Sequence, residues 1–494
     1  MKENRILNFV KYFCRQMNFN EFVSAMIIFY EVQNGTRSDI EFKPNDKERP
    51  HYRKFMVDMK EPLSESPSKL KTNWRDIQKE YFKKNGKFIK TVKRRKDSAL
   101  PPKGSICQHC YAPARYLYIN NGRYESQFIC KVCGGSSPTN KKRITPKSQL
   151  WCPYCGKALY QWKSSKTFTS FKCGNRKCSH YINNKKLLTS DETEELNSKP
   201  GISSQYKLHY QFRIFHFNPS EIAVKRPTDD KGIDLGRIHN DMRTFSLVLT
   251  FYICFGLSSR MTRDVLRHTF NINSVSHQSV LNYIKAAAYH LYHFTDQNCP
   301  KPKGIMPADE TYISVNGKWH YTWFGIDAKT RAICGYNVTE DRETTSALAF
   351  LYNALGAPEE NIGKRYETVM DGNPSYDSAI LAYQQKAKEI SGTNRNIIDK
   401  HTVIGLKNLD DESAEYRPFK QMIERLNRTY KFHTRPRAGF KNLEGATALT
   451  VMFVAFYNFM RPHTSLHRLT PVKLECLKGV TLYPDMWIRL IRTA

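Results

Sequence analysis

Asp309, Asp371 and Glu424 are carboxylates far apart in the chain, each set in or beside a segment of regular periodicity. Asp309 lies in "IMPADETYISV", sharing strand parity with Thr311, Ile313 and Val315, so it projects from a face that is otherwise partly apolar. An ionised carboxyl there is costly unless something cationic meets it. Asp371 ends the short run "ETVMD" just before "GNP", where Asn373 and Pro374 would start a helix. Glu424 sits in "FKQMIERLNRTYKFHTRPR", where Phe419, Met422, Ile423 and Leu426 recur at helical spacing. Singly, each acid reads as structural: a strand residue, an Asp-Gly turn, and i,i+4 ion pairs of Glu424 with Lys420 and Arg428 worth about 0.3–0.5 kcal/mol each. Glu310, Asp327 and Asp341 read as adjacent-face or loop residues.

Together the acids make a different case. Two strand-end aspartates and a helix glutamate can converge at one edge of a sheet, where three carboxylates would repel one another unless hard divalent cations sat between them. Mg²⁺ takes oxygen ligands and keeps waters open for phosphate oxygens. Two such ions roughly 3.5–4 Å apart can stabilise both the attacking and the leaving oxygen of an in-line displacement. In that setting Arg425, Arg428, Lys431 and Arg435 would grip the backbone of a nucleic acid strand.

A second constellation is built of sulfur. Of 13 cysteines, an odd number unsuited to a complete disulfide framework, eight fall in two groups: Cys107, Cys110, Cys130 and Cys133, then Cys152, Cys155, Cys173 and Cys178. Each CxxC turn aims two thiolates at one point, and a second turn some twenty residues on completes a tetrahedral S4 shell for structural zinc. Strand-like runs between the turns give the layout of two zinc ribbons. The last pair of the second group is wider spaced, which leaves His180 as a substitute ligand.

The elements that must position these groups follow from pattern. Past residue 300 the order is three strands, helix, strand, helix, strand, helix, as in a ribonuclease H-like α/β domain. Before it, "GLSSRMTRDVLRHTFNINSVSHQSVLNYI" has the lengths of a helix-turn-helix, with Ser276 as N-cap and His277, Gln278 and Asn282 placed to face a major groove. A generic helical hairpin is the plain counterpart. The reading is therefore a multidomain α/β chain: a basic region at 1–100 with one helix in "NEFVSAMIIFYEV", tandem zinc ribbons at 101–185, linker and strand at 186–235, helix-turn-helix at 236–298, a ribonuclease H-like domain at 299–475 and a tail at 476–494.

Bulk composition agrees. The net charge of +32 calls for a polyanion, and nucleic acid fits better than an anionic membrane because no basic amphipathic anchor is evident. The apolar runs at 244–257 and 445–460 fall short of the roughly 18–20 residues that span a bilayer and read as core helices. Lys11 and Arg15 interrupt the N-terminal apolar stretch, making it a poor secretory signal. A soluble cytoplasmic protein, nucleoid-associated in a prokaryote, is expected.

The phrases "ADETYISVNGKWHYTWFGIDAKTR", "MDGNPSYDSAI", "MIERLNRTYKFHTRPRAGFKN" and "FYNFMRPHTSL" with its following "LTP" resemble DDE-type insertion-sequence transposases of bacteria and archaea, over about residues 240–475. The resemblance implies that Asp309, Asp371 and Glu424 are the catalytic triad, with two Mg²⁺ or Mn²⁺ ions as cofactor. It further implies hydrolysis that frees a 3′-hydroxyl at an element's end, attack of that hydroxyl on target DNA, and at least a dimer to bring two ends together. Two features depart from compact members. The interval from Asp371 to Glu424 is long, which keeps Asp410, Asp411, Glu412 and Glu415 as rival third ligands, in what reads as a polar loop. The N-terminal region with its ribbons is extra, and would read terminal repeats or serve assembly. Arg461 in "YNFMRPH" is a candidate backbone contact, with Tyr457, Asn458 and His463 bracing the last helix. Trp319 and Trp323 read as core aromatics, and His401 and His433 as structural or phosphate-contacting. The competing readings are a non-catalytic zinc-ribbon and helix-turn-helix regulator derived from a transposase, and a structure-selective nuclease on the same scaffold.

Overall fold

The structure, a computed structural model, describes residues 55–65, 73–93, 101–102, 104–121, 126–138, 150–199, 205–228, 235–392, 397–405 and 411–494. The helix expected in "NEFVSAMIIFYEV" lies outside the described residues, as does the basic run "KKRITPK". The chain divides into two compact units, Val57–Phe217 and a second that holds Asn218–Ala494.

In the first unit, α1 (Trp74–Asn85) starts at Asn73, whose side chain accepts the Arg75 N–H at 3.1 Å, and stops at Gly86 with φ 65°. The first ribbon is an antiparallel sheet of β1 (Leu117–Asn121), β2 (Ser126–Cys130) and β3 (Ser136–Pro138). The second ribbon pairs β4 (Tyr160–Ser164), β5 (Phe168–Lys172) and β6 (Gln211–Phe215) in the same antiparallel way. The strand anticipated in "KLHYQFRIFHF" is thus the third strand of this ribbon, which runs past the expected boundary at 185. Between β5 and β6 lie α2 (Ser179–Lys186) and α3 (Ser190–Ser198). The acidic stretch read as a linker forms α3 because Thr189 and Glu192 make a capping box that satisfies two end N–H groups.

The second unit is organised by a five-stranded sheet of order β11-β10-β7-β8-β9. β7 (Met306–Val315), β8 (Lys318–Ile326) and β9 (Ile333–Thr339) form an antiparallel meander, while β10 (Tyr366–Met370) and β11 (Ile398–Thr402) run parallel to β7. Parallel neighbours need crossovers. Here α7 (Thr344–Leu355) precedes β10 and α8 (Pro374–Ser391) precedes β11, giving the ribonuclease H-like order. Adjacent residues of β8 show how both faces are covered: Trp323 meets Tyr376 of α8 at 5.3 Å between ring centroids, and Phe324 meets Tyr430 on the other face at 5.0 Å. Gly335 lets α7 sit close, since a Cβ there would lie 2.4 Å from the Ala354 Cβ.

The helices on the Phe324 face belong to one core with the sheet. α4 (Met242–Leu249), α5 (Ser259–Phe270) and α6 (His277–Asn298) precede it, and α9 (Asp411–Thr434), α10 (Leu443–Ala455) and α11 (Tyr483–Thr493) follow it. Their apolar residues share a single buried cluster with Ile313, Val315 and Phe324, so a boundary at 298 marks no break in packing. Both long apolar runs are core helices ending in π turns, Thr250–Cys254 and Phe456–Met460. Leu443–Met460 is long and apolar enough to cross a membrane, yet 83% of it is buried inside the protein. Asn458, in the second π turn, both accepts from the Ile333 N–H at 2.8 Å and donates to its carbonyl at 2.9 Å, tying that turn to β9.

Residues 476–494 are not a tail: α11 buries Trp487 and Leu490 completely. Trp487→Ala is expected to destabilise the protein by about 3–5 kcal/mol, measured by urea denaturation; a change below about 1 kcal/mol would place α11 outside the cooperative core.

Candidate active site

The acids meet because of strand register. β10 pairs with β7 at only two rungs, Thr368 opposite Met306 and Val369 opposite Pro307, so two residues further on Asp371 comes level with Asp309. Beyond that point β7 has left β10, and its far end pairs with Phe440, whose N–H donates to the Ser314 carbonyl at 2.8 Å. Carboxylate oxygens of Asp309, Glu310 and Asp371 all lie within 4.8 Å of one another. Asp371 is held by its own turn, accepting the Asn373 N–H at 2.9 Å, while Asn373 caps α8 and Pro374 occupies its first position. Glu310, set aside from sequence as an adjacent-face residue, therefore belongs to the cluster. Its oxygens are heavily engaged: Oε1 accepts from Asn373 at 2.9 Å and Arg342 at 3.5 Å, and Oε2 from the Tyr376 hydroxyl at 2.8 Å.

Crowding shows in the acids' proton affinities. Burial, opposed by Lys420 and reinforced by Asp371 and Glu424, pushes Asp309 up to about 6. Burial, with Asp371 and Asp309 adding to it, pushes Glu310 up to about 7. Hard oxygen donors this close, reluctant to ionise together, fit a divalent cation.

Glu424 is placed by α9. Lys420, Glu424, Asn427 and Lys431 recur at i, i+4, i+7 and i+11, one stripe of the helix. The Lys420 ammonium lies 2.9 Å from Asp309 Oδ1, and the Asn427 amide donates to Asp309 Oδ2 at 3.0 Å. These contacts bracket Glu424 by one turn on either side and turn it toward Asp309, though it stands outside the 4.8 Å cluster. Lys420, read from sequence as a solvated ion-pair partner of Glu424, is instead 5% exposed and bonded to the strand. Among the rivals, Asp411 and Glu415 are exposed in the first turns of α9, which begins before Pro418 rather than after a polar loop. Asp410 lies outside the described residues.

The other candidates scatter. Arg425, Arg428 and Arg435 are exposed, and the Lys431 ammonium lies over the Tyr312 ring at 4.3 Å. His277, Gln278 and Asn282 are exposed at the start of α6, where Ser276 caps the helix and Gln278 donates to Asn282 at 3.0 Å. Trp323 is a core residue, but Trp319 beside the β7–β8 turn is 62% exposed and meets Tyr312 edge-on at 5.0 Å, while Ile313 and Val315 on the opposite face are buried. His401 stacks on Tyr416 at 3.8 Å, and His433 is buried, its imidazole pushed down to about 3 by desolvation and by Arg437 and Arg461.

In the first unit each set of four cysteines gathers its sulfurs within 4.8 Å. Burial pushes the Cys133 and Cys173 thiols up to about 11, so thiolates there call for a cation, and the S4 donor set suits zinc. His180 takes no part: it contacts Asn184 at 2.9 Å and Asp58 at 3.5 Å.

Comparison with known proteins agrees with this geometry. Residues 305–463 match the family model of a DDE domain. Over 135 residues the chain is 28% identical to the transposase for insertion sequence-like element IS431mec of Staphylococcus aureus and equally to that for IS257 in transposon Tn4003, covering 27% of this chain and 57% of each relative. The chain thus spans little more than half the length of the curated relatives it matches. The HTLV-2 integrase catalytic core domain in complex with magnesium aligns over 35% of this chain and 95% of that one at 14% identity, but with a TM-score of 0.21 that alignment carries no weight. Pairing register, the acid cluster and the family match concur on a DDE domain at residues 305–463.

Proposed function

We propose that the protein is a DNA transposase that binds the terminal repeats of an element, cleaves a strand at each end and transfers the freed 3′-hydroxyl to target DNA. The observation that carries this reading is the meeting of Asp309 and Asp371 at the split between β7 and β10, with Glu424 turned toward them by Lys420 and Asn427. Asp309, Asp371 and Glu424 would hold Mg²⁺ or Mn²⁺, which when bound supplies charge neutralisation at the reacting phosphate. Glu310, its oxygens taken by Tyr376, Asn373 and Arg342, supports the site rather than ligating. Lys420 stands in as counter-ion for Asp309 and would turn to the substrate's phosphate once a dication takes its place. Arg428 and Lys431 of α9 and Arg435 in the turn that follows it would hold the strand, and His277, Gln278 and Asn282 would read a groove at the repeats. Each ribbon would hold one structural zinc, and two protomers would pair to bring two ends together.

Three measurements test this. With Mg²⁺ and oligonucleotides bearing the element's ends, Asp309→Ala, Asp371→Ala and Glu424→Ala are each expected to reduce strand cleavage and joining to background, whereas Glu415→Ala keeps it; activity in Glu424→Ala would remove that residue from the triad. Metal analysis should find two zinc ions per chain and one in Cys110→Ser; two ions in that variant would contradict the S4 assignment. The third is a pH dependence. Carboxyls whose folded pKa is raised contribute stability that is present below the unfolded values of about 4 and is lost as pH rises through about 6 for Asp309 and about 7 for Glu310. A bound dication reverses that loss, so Mg²⁺ should raise the melting temperature more at pH 8 than at pH 5.5, and not at all in Asp309→Ala. A magnesium shift independent of pH would contradict the cluster.

A further inference from the structure

Behind α9 the second unit has a cleft of about 270 Å³ into which three arginines converge: Arg331, Arg425 and Arg461. No Asp or Glu lines it, and among the described residues none of the three guanidinium groups is ion-paired. The cleft stripe of α9 (Met422, Arg425, Leu426 and Thr429) lies on the side of the helix away from Lys420, Glu424, Asn427 and Lys431. A helix diameter of about 10 Å therefore separates it from the acids.

Each arginine is delivered by a specific device. Arg331 closes the β8–β9 turn at φ 63°, a conformation that disfavours any side chain other than glycine or asparagine. Buried Asp327 imposes it, accepting the Thr330 N–H at 2.9 Å and the Gly304 N–H at 3.0 Å, while its own carbonyl accepts the Arg331 N–H at 2.8 Å. Arg461 leaves the π turn with its N–H on the Phe456 carbonyl and its guanidinium 5.6 Å from the Tyr457 ring centroid. His463, in the lining, contributes no negative charge and contacts the Tyr457 carbonyl at 3.3 Å. Exposed Thr464 and Ser465 add hydroxyl donors at the mouth. Three arginines lining one cleft with no acid among its walls leave their positive charge to a ligand, and the one that suits them is a tetrahedral oxyanion.

We propose that this cleft seats one backbone phosphodiester of the DNA and anchors the duplex on the far side of α9 from the acid cluster. The inference rests on the reading of the protein as a DNA transposase. Phosphate contacts of this kind position a duplex without reading its sequence.

The test uses the full-length protein and duplex DNA of the element's end, read by fluorescence anisotropy across a salt series. Arg331→Asn, chosen because asparagine accepts the left-handed backbone, and Arg331→Asn/Arg461→Ala are compared with wild type and with Arg489→Ala, an exposed arginine of α11 outside the cleft. Loss of one phosphate contact should reduce the steepness of log affinity against log salt by about 0.9, with the same loss on a random duplex, while Arg489→Ala leaves the slope unchanged. A scan with neutral methylphosphonates should show one position, away from the scissile bond, that weakens wild type but no longer matters to Arg331→Asn. An unchanged slope and unchanged scan in Arg331→Asn overturn the cleft while leaving the transposase reading intact. Wild-type protein that binds no DNA overturns both. Should the double variant fail to fold, the single Arg331→Asn slope and the wild-type scan decide the outcome.

Discussion

Asp309 sits at the point where the structure concentrates unfavourable charge, and its pairing with Lys420 and Asn427 is what makes that tolerable. Buried carboxylates repel one another and lose hydration, a combination that would otherwise cost several kcal/mol. One ammonium and one amide from a single helix stripe meet both oxygens of Asp309, and in doing so they fix the rotation of α9 about its axis. Once that rotation is set, Glu424 faces the strand-end acids, Lys431 reaches the Tyr312 ring and Arg425 points into the rear cleft. The helix that carries Glu424 is thus positioned by the acid it faces.

The sheet contributes the other half. Parallel pairing of β10 with β7 is cut short after two rungs, which leaves Asp371 level with Asp309 at an opening rather than inside a ladder. Aromatic packing covers the sheet beside this point on both faces, Trp323 with Tyr376 and Phe324 with Tyr430. Helices preceding the sheet share its core, so the region anticipated as a separate DNA-reading module is continuous in packing with the sheet that carries the acids.

Features set by local chemistry were legible in the sequence. The CxxC turns declare their sulfurs, strand parity marks Asp309, and "GNP" after Asp371 announces a helix cap. Features set by tertiary pairing were not. Lys420 looks like any solvated helix lysine until β7 supplies its partner, and Arg331 joins Arg425 and Arg461 only through the fold. Trp319 was misplaced because strand alternation does not reveal which face stays exposed. Two misreadings had a usable signal: Thr189 and Glu192 form a capping box in a stretch taken as linker, and Trp487 with Leu490 at helical spacing marks a core helix in a stretch taken as tail.

The most direct check is anomalous scattering from crystals of the protein grown with Mn²⁺. Density is expected between Asp309, Asp371 and Glu424, with the Lys420 ammonium moved off Asp309. Manganese bound only at Glu310, or an undisturbed Lys420–Asp309 pair with no metal beside it, would contradict the central assignment.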